Sequence, residues 1–280
     1  MDDFIAKIKN YIVEAQLALD QGIIPQHVKG ATCQSYILFD RERIPLGFFK
    51  MGSPDEIDCE CVGYRLDHAH FSGVPPTQHA CIRCESIWGN RRGSFQLYVG
   101  EGKVMGHLPF HEYETVPADQ VRKIAILDIR LLNSDRHEYN LIYEDERLIP
   151  IDHSGILTTN SLVGFLWIAW AQSHTAFSKE EKVYINSLNP MDDYRLLIDE
   201  FKFSHARAAT CYLATLFLKI GTECGFTAGE IGGLMTLRQL EGSAHQVSIF
   251  KQLLEQIKGQ PMHTWCEQVK KTIKGMSEWI

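Results

Sequence analysis

Apolar residues recur at helical spacing from the start of the chain. Phe4, Ile5, Ile8, Tyr11, Ile12, Ala15, Leu17 and Leu19 predict a helix that Gly22 ends. The pattern then changes. Ser35–Phe39 and Pro45–Lys50 read as strands, and the polar Asp40–Arg43 between them makes a hairpin. A helix is predicted over Ile57–His68. Gly73-Val-Pro-Pro-Thr77 must be loop, because paired prolines stop both helix and sheet. A second strand pair is predicted within 79–100, ending in Ser94-Phe-Gln-Leu-Tyr-Val99.

Beyond Val99 the periodicity is mostly helical. Ala118–Leu132 is amphipathic. Ser178-Lys-Glu-Glu181 and Thr227-Ala-Gly-Glu230 are capping boxes, in which hydroxyl and carboxylate cover unpaired N–H groups. Helices are predicted over 178–187, 205–223, 228–239, 243–258 and 262–278. The order predicts an α+β chain: a small β-rich lobe over 1–100 and a larger helical lobe over 101–280. No internal repeat or low-complexity tract interrupts it.

Composition narrows the class. The chain has 280 residues, 45% hydrophobic and 22% charged, with a net charge of −7. That acidity argues against non-specific binding to nucleic acid or anionic membranes. The most apolar stretch, Ser161–Ala171, is shorter than the roughly 18 residues of a membrane-spanning helix. No basic n-region with an apolar h-region opens the chain, so the expected location is cytoplasmic, at most peripheral at membranes. Cys59, Cys61, Cys81 and Cys84 form a C-x-C and a C-x2-C. Zinc is one reading. Free thiols are the simpler one, because i and i+2 side chains of a predicted helix diverge.

Chemistry concentrates in Leu127–Asn140 and in Leu148-Ile-Pro-Ile-Asp-His-Ser-Gly155. Asn140–Tyr143 and Leu148–Ile151 are predicted to pair as short strands around the turn Glu144–Glu146. That hairpin would set Asn140 beside Asp152, with Asp135 one loop away. Two carboxylates and a carboxamide suit Mg²⁺, a hard cation that takes oxygen ligands from protein and from phosphate. Asp135 would then face a nucleophile, which is the arrangement phosphoryl transfer requires. Taken singly, these residues have plainer readings: Lys50 as a surface lysine, Asp135 and Asn140 as turn formers, Asp152 as a helix cap.

Asp-Arg-His-x-x-Asn followed by Ile-Asp-His resembles the catalytic and metal-binding loops of the phosphatidylinositol 3-/4-kinase superfamily. Tyr64-Arg-Leu-Asp-His68, Gly73–Thr77 and Gly93–Val99 look like segments of its type II and plant gamma-type 4-kinases. So do Trp170-Ala-Gln-Ser173, Phe177-Ser-Lys-Glu-Glu181 and Glu230-Ile-Gly-Gly-Leu-Met235. The resemblance implies a two-lobed, protein-kinase-like fold using ATP with Mg²⁺ or Mn²⁺. It implies that Lys50 contacts the phosphates and Glu60 pairs with Lys50. Gly30 to Tyr36, including Ser35, would cover the phosphates, and Tyr98 and Val99 would hold the adenine edge. Asp135 would orient or deprotonate the acceptor. His137 would accept a proton or touch the transferred phosphate, and Asn140 and Asp152 would bind the metal. The chain departs from the family in having one glycine in Gly30–Ser35, Met51 after Lys50, and Ser154 where glycine is usual.

The acceptor implied is an inositol-lipid hydroxyl. A protein Ser/Thr hydroxyl is the alternative, and a nucleotide-binding pseudokinase or partner-binding module is a third reading. Between Asp152 and Lys179 there is no Lys or Arg, which disfavours a headgroup already carrying extra phosphates. Phe165–Trp170 reads as core packing in preference to a membrane-dipping segment, because large aromatics bury so much area.

Overall fold

The computed structural model describes residues 2–28, 33–100, 102–158, 164–236, 238–239 and 246–276. Two compact units divide the chain: residues 1–102 with 149–154, and residues 103–148 with 155–280.

The first unit opens with helix Asp2–Asp20 (α1), followed by strands Gln26–His27 (β1), Gln34–Phe39 (β2) and Pro45–Met51 (β3). Helix Pro54–Arg65 (α2) comes next, then strands Thr77–Cys84 (β4) and Gly89–Leu97 (β5). The strands form one antiparallel sheet in the order β1-β2-β3-β5-β4. Register decides what each face carries, because directly paired residues project to the same side. Tyr36, Phe49 and Phe95 are cross-strand partners. Phe49 and Phe95 belong to a core with Ile8 and Ala15 of α1, and Tyr36 packs against that core. Ser35, Lys50, Ser94 and His79 form the adjacent row. They project to the opposite side, where α2 supplies the partners of Lys50 and His79.

α2 starts three residues before the predicted Ile57. Ser53 Oγ accepts from Glu56 N (3.3 Å) while Glu56 Oε2 accepts from Ser53 N (2.7 Å), a capping box with Pro54 in the first turn. The helix ends at Arg65 and not His68. Beyond it, Asp67 accepts from Ser72 N (2.8 Å) and Val74 N (3.0 Å), folding the chain back towards β4.

The second unit contains strand Lys103–Val104 (β6) and helices Phe110–Tyr113 (α3) and Ala118–Leu131 (α4). Strands Leu141–Glu144 (β7) and Arg147–Pro150 (β8) follow, in a three-stranded sheet of order β6-β7-β8. Asp145 and Glu146 both have positive φ, 49° and 60°, the two-residue turn that suits the twist of a hairpin. Asn140 itself is not in a strand; it closes a 3₁₀ turn over Glu138–Asn140.

Helices Lys179–Ser187 (α5), Pro190–Asp199 (α6), His205–Glu223 (α7) and Ala228–Met235 (α8) come next. Then come strands Arg238–Gln239 (β9) and Gln246–Val247 (β10) and helices Ile249–Ile257 (α9) and Trp265–Met276 (α10). α7 packs against α4, α6 and α10. Buried ion pairs tie α4 to its neighbours, Arg130 to Asp193 of α6 (2.8 Å) and Arg122 to Glu181 of α5 (2.8 Å).

Three predicted helices are shorter than their patterns suggest. α8 stops at Met235 because Thr236 turns to extended backbone and the chain pairs β9 with β10. α9 starts at Ile249, where Ser248 Oγ caps Lys251 N (3.3 Å); the predicted residues 243–245 lie outside the described residues. Met262–Thr264 forms a 3₁₀ turn ahead of α10. Among the described residues no helix is long and apolar enough to cross a membrane.

Candidate active site

Lys50 stands at the end of β3, and the row through Ser35 and Ser94 sets its side chain on the α2 face. There Lys50 Nζ donates to Glu60 Oε1 at 2.6 Å, with the two side chains 13% and 4% exposed. Glu60 is presented by the second turn of α2, which the Ser53 box anchors. A cleft opens at this pair, lined by Cys33, Lys50, Glu56, Glu60, Ser94 and Ser154 among others. The Ser94 hydroxyl is buried there with no hydrogen-bond partner among the described residues.

Asp152 and His153 belong to the same unit. Asp152 has φ +57° and its Oδ1 accepts from Ser154 Oγ (2.8 Å) and Ser154 N (3.3 Å). His153 is buried, and its ring lies against Gly63 of α2: a Cβ added to Gly63 would stand 2.4 Å from the His153 Cγ.

Burial opposes charge on Lys50, Glu60 and Asp152 alike, yet the outcomes differ. Burial would lower the Lys50 value; the Glu60 and Asp152 carboxylates reverse that and raise it. For Asp152, burial would raise the carboxyl. The Lys50 ammonium and the Ser154 hydroxyl and N–H instead hold it well below the usual carboxylate range. Burial raises Glu60, with Lys50 opposing and Asp152 adding to the rise. With all three ionised, two carboxylates face one ammonium. That is one negative charge in excess, and the oxygen donors present are those a hard divalent cation prefers.

The second unit holds the other candidates. Asp135 is exposed and His137 half-buried. Asn133 Oδ1 accepts from Asp135 N (3.1 Å), and Asn140 Nδ2 donates to the Asp135 carbonyl (3.0 Å). Committing the Asn140 amino group in this way leaves its Oδ1 as the atom able to meet a cation. His137 Nδ1 accepts from Tyr139 N (3.2 Å), so a neutral ring carries its proton on Nε2. Gly155 leaves room for Asp135, whose Cβ a side chain at 155 would meet at 2.8 Å.

Beneath this loop lies a buried network that the sequence reading leaves out. Asp128, on the inner face of α4, accepts from Arg136 Nε (3.2 Å to each oxygen), Asn133 Nδ2 (3.2 Å) and Trp167 Nε1 (3.1 Å). Arg136 Nη1 donates onward to the Asn140 carbonyl (2.7 Å). A charged residue amid the apolar positions of an amphipathic helix was the available signal. Burial raises the Asp128 carboxyl against the pull of Arg136. Replacing Asp128 with alanine removes the carboxylate facing a fully buried guanidinium. The unfolding free energy should fall by about 3–5 kcal/mol, measured by denaturant titration. A loss below about 1 kcal/mol would show that the network does not hold the loop.

The remaining candidates divide by face. Ser35 is buried, its Oγ 3.3 Å from Cys33 Sγ, in the Lys50 row. Tyr36 is one residue on, so its ring lies on the other face, against His27 and Trp88. Tyr98 N donates to Leu46 O (3.0 Å) and its ring stacks on Phe48; Val99 follows, half-buried. Gly30 lies outside the described residues. Cys59, Cys61 and Cys84 are buried and Cys81 is exposed, all as free thiols. Among the described residues no group of three or more His, Cys, Asp or Glu is arranged to hold a metal. Trp167 and Trp170 are buried.

Residues 58–226 match the family model described as phosphatidylinositol 3- and 4-kinase. Phosphatidylinositol 4-kinase gamma 4 of Oryza sativa subsp. japonica is 37% identical over 198 residues, covering 63% of this chain and 34% of the relative. Phosphatidylinositol 4-kinase gamma 4 of Arabidopsis thaliana is 36% identical over 205 residues, covering 63% and 35%. This chain therefore spans about a third of the length of these curated relatives. The Mycobacterium tuberculosis PknI kinase domain superposes over 92% of this chain and 97% of its own at 11% identity. Its TM-score is 0.30, a likeness too loose to argue from.

Proposed function

The chain belongs to the phosphatidylinositol 3- and 4-kinase family, and from that premise we propose that it transfers the γ-phosphate of ATP to the hydroxyl of an inositol lipid. The observation that carries this reading is the Lys50–Glu60 pair at 2.6 Å in a cleft that Ser154 also lines, with the Asp152 carboxylate near enough to raise the Lys50 value.

In this reading Lys50 neutralises the nucleotide phosphates, and Glu60 keeps it ionised and aimed. The Ser94 hydroxyl, buried with no partner among the described residues, is a ready donor or acceptor for a cleft ligand. Ser35 lies in the same row; Gly30, the other residue the resemblance assigns to covering the phosphates, lies outside the described residues. The Tyr98 N–H is already bonded to Leu46, so of that pair Val99 takes the adenine edge. Asp152 and Asn140 would hold Mg²⁺ or Mn²⁺, which when bound offsets the charge developing on the phosphoryl oxygens. Asp135, exposed at the loop tip, orients or deprotonates the acceptor hydroxyl. His137, with its proton on Nε2, donates a hydrogen bond to a phosphate oxygen in preference to acting as base.

The acceptor follows from what the segment after Asp152 lacks. A headgroup phosphate normally meets Lys or Arg, and none stands between Asp152 and Lys179. One missing charge-assisted contact corresponds to a preference of about tenfold or more. Phosphatidylinositol should therefore be phosphorylated at least about tenfold faster than its mono- or bisphosphates, by product analysis on liposomes with labelled ATP. Preferred use of a bisphosphate would contradict the assignment. Labelling of added protein with no lipid labelled would make the chain a protein kinase. Labelled ATP bound but never turned over would leave a binding module.

A further inference from the structure

We propose that the Ser154 hydroxyl is a positioning group for the Asp152 carboxylate, fixing which oxygen Asp152 offers to a divalent cation. The inference rests on the assignment of Asp152 as metal ligand and goes beyond it to a residue outside that ligand set.

Three observations meet at this residue. Asp152 has φ +57°, a backbone conformation that a non-glycine residue holds only when its surroundings stabilise it. Ser154 Oγ donates to Asp152 Oδ1 at 2.8 Å, and Ser154 N donates to the same oxygen at 3.3 Å. Ser154 also lines the cleft with Lys50 and Glu60. Both bonds converge on Oδ1, and a cation would then be taken on Oδ2.

The backbone N–H is the longer of the two contacts and would survive any substitution other than proline. The hydroxyl is the shorter contact, and only serine or threonine supplies it at that position. Without it only the longer N–H contact restrains the carboxylate against rotation about its Cβ–Cγ bond. A ligand that must be ordered at the moment of binding binds less tightly. Outer contacts of this kind are typically worth 10- to 100-fold in metal affinity. A hydroxyl that merely completes a local turn would leave metal affinity unmoved.

The test reads metal binding and not turnover. Mn²⁺ is titrated by electron paramagnetic resonance into the full chain with a non-hydrolysable ATP analogue, with thermal melting as the folding control. Ser154→Ala should raise the Mn²⁺ concentration at half-saturation by about tenfold. Ser154→Cys keeps the volume with a weak donor and should weaken Mn²⁺ at least about threefold. Ser154→Thr restores a hydroxyl and should stay within about twofold of the natural chain. Nucleotide binding without metal should be the same in all four. If the natural chain binds no Mn²⁺, or Asp152→Asn binds it equally well, the assignment of Asp152 fails first. If Asp152→Asn loses Mn²⁺ while Ser154→Ala and Ser154→Cys match the natural chain, Asp152 stands and the role of Ser154 is overturned.

Discussion

Asp152→Asn should fold and should transfer phosphate at least about a thousandfold more slowly than the natural chain, the scale on which groups governing phosphoryl charge act. Asparagine is the informative exchange. It keeps the volume of the side chain, tolerates positive φ better than alanine, and still offers one oxygen to Ser154. What it loses is the charge. That charge is held on Asp152 by Lys50 against the effect of burial. Mg²⁺-dependent nucleotide binding should weaken in parallel, while the melting temperature changes by only a few degrees. Steady-state transfer with labelled ATP and phosphatidylinositol liposomes measures the first effect. Unchanged transfer would remove Asp152 from the metal site.

Lys50→Met should lower transfer by about 100-fold or more, because it deletes the cation expected to neutralise phosphate charge. The structure adds a second effect. Glu60 is buried against Lys50, so methionine leaves a carboxylate without its partner beside Asp152. Glu60 can take up a proton, which limits the damage, and a stability loss of about 1–3 kcal/mol is expected. Lys50→Met combined with Glu60→Gln should recover most of that stability and none of the activity. Recovery of activity in the double variant would show that Lys50 acts only by supporting Glu60.

Strand and helix period place Lys50 at a strand end and Glu60 on the helix that follows, but it is the family resemblance that pairs them; period alone leaves Lys50 a surface lysine. Alternation also explains what that reading overlooks. Ser35 and Tyr36 are neighbours in one strand, so they point to opposite sides, and the Tyr36 ring packs with Trp88. Local pattern failed where tertiary or capping interactions decide. The Ser53 box moves the start of α2 forward. The β9–β10 pairing ends α8 before its apolar pattern does. Asn189-Pro190 starts α6, a helix the periodicity does not flag, through a side-chain cap and a first-turn proline. Asp128 was hidden for a different reason. Its role depends on Trp167, thirty-nine residues away in sequence, and no local spacing reveals that contact.

Gly63 shapes how this chain can change over generations. Alanine there would place a methyl 2.4 Å from the His153 ring, so the helix could not stay where Glu60 needs it. A smaller residue at 153 would make room, but with glycine still at 63 it would open a void against α2. Each substitution is penalised alone and tolerable only with the other. A lineage taking single steps is therefore held at the glycine–histidine combination. The barrier is one of volume, set by the His153 ring against the α2 backbone. Libraries that vary the site one position at a time would miss the paired solutions; libraries that randomise 63 and 153 together would reach them.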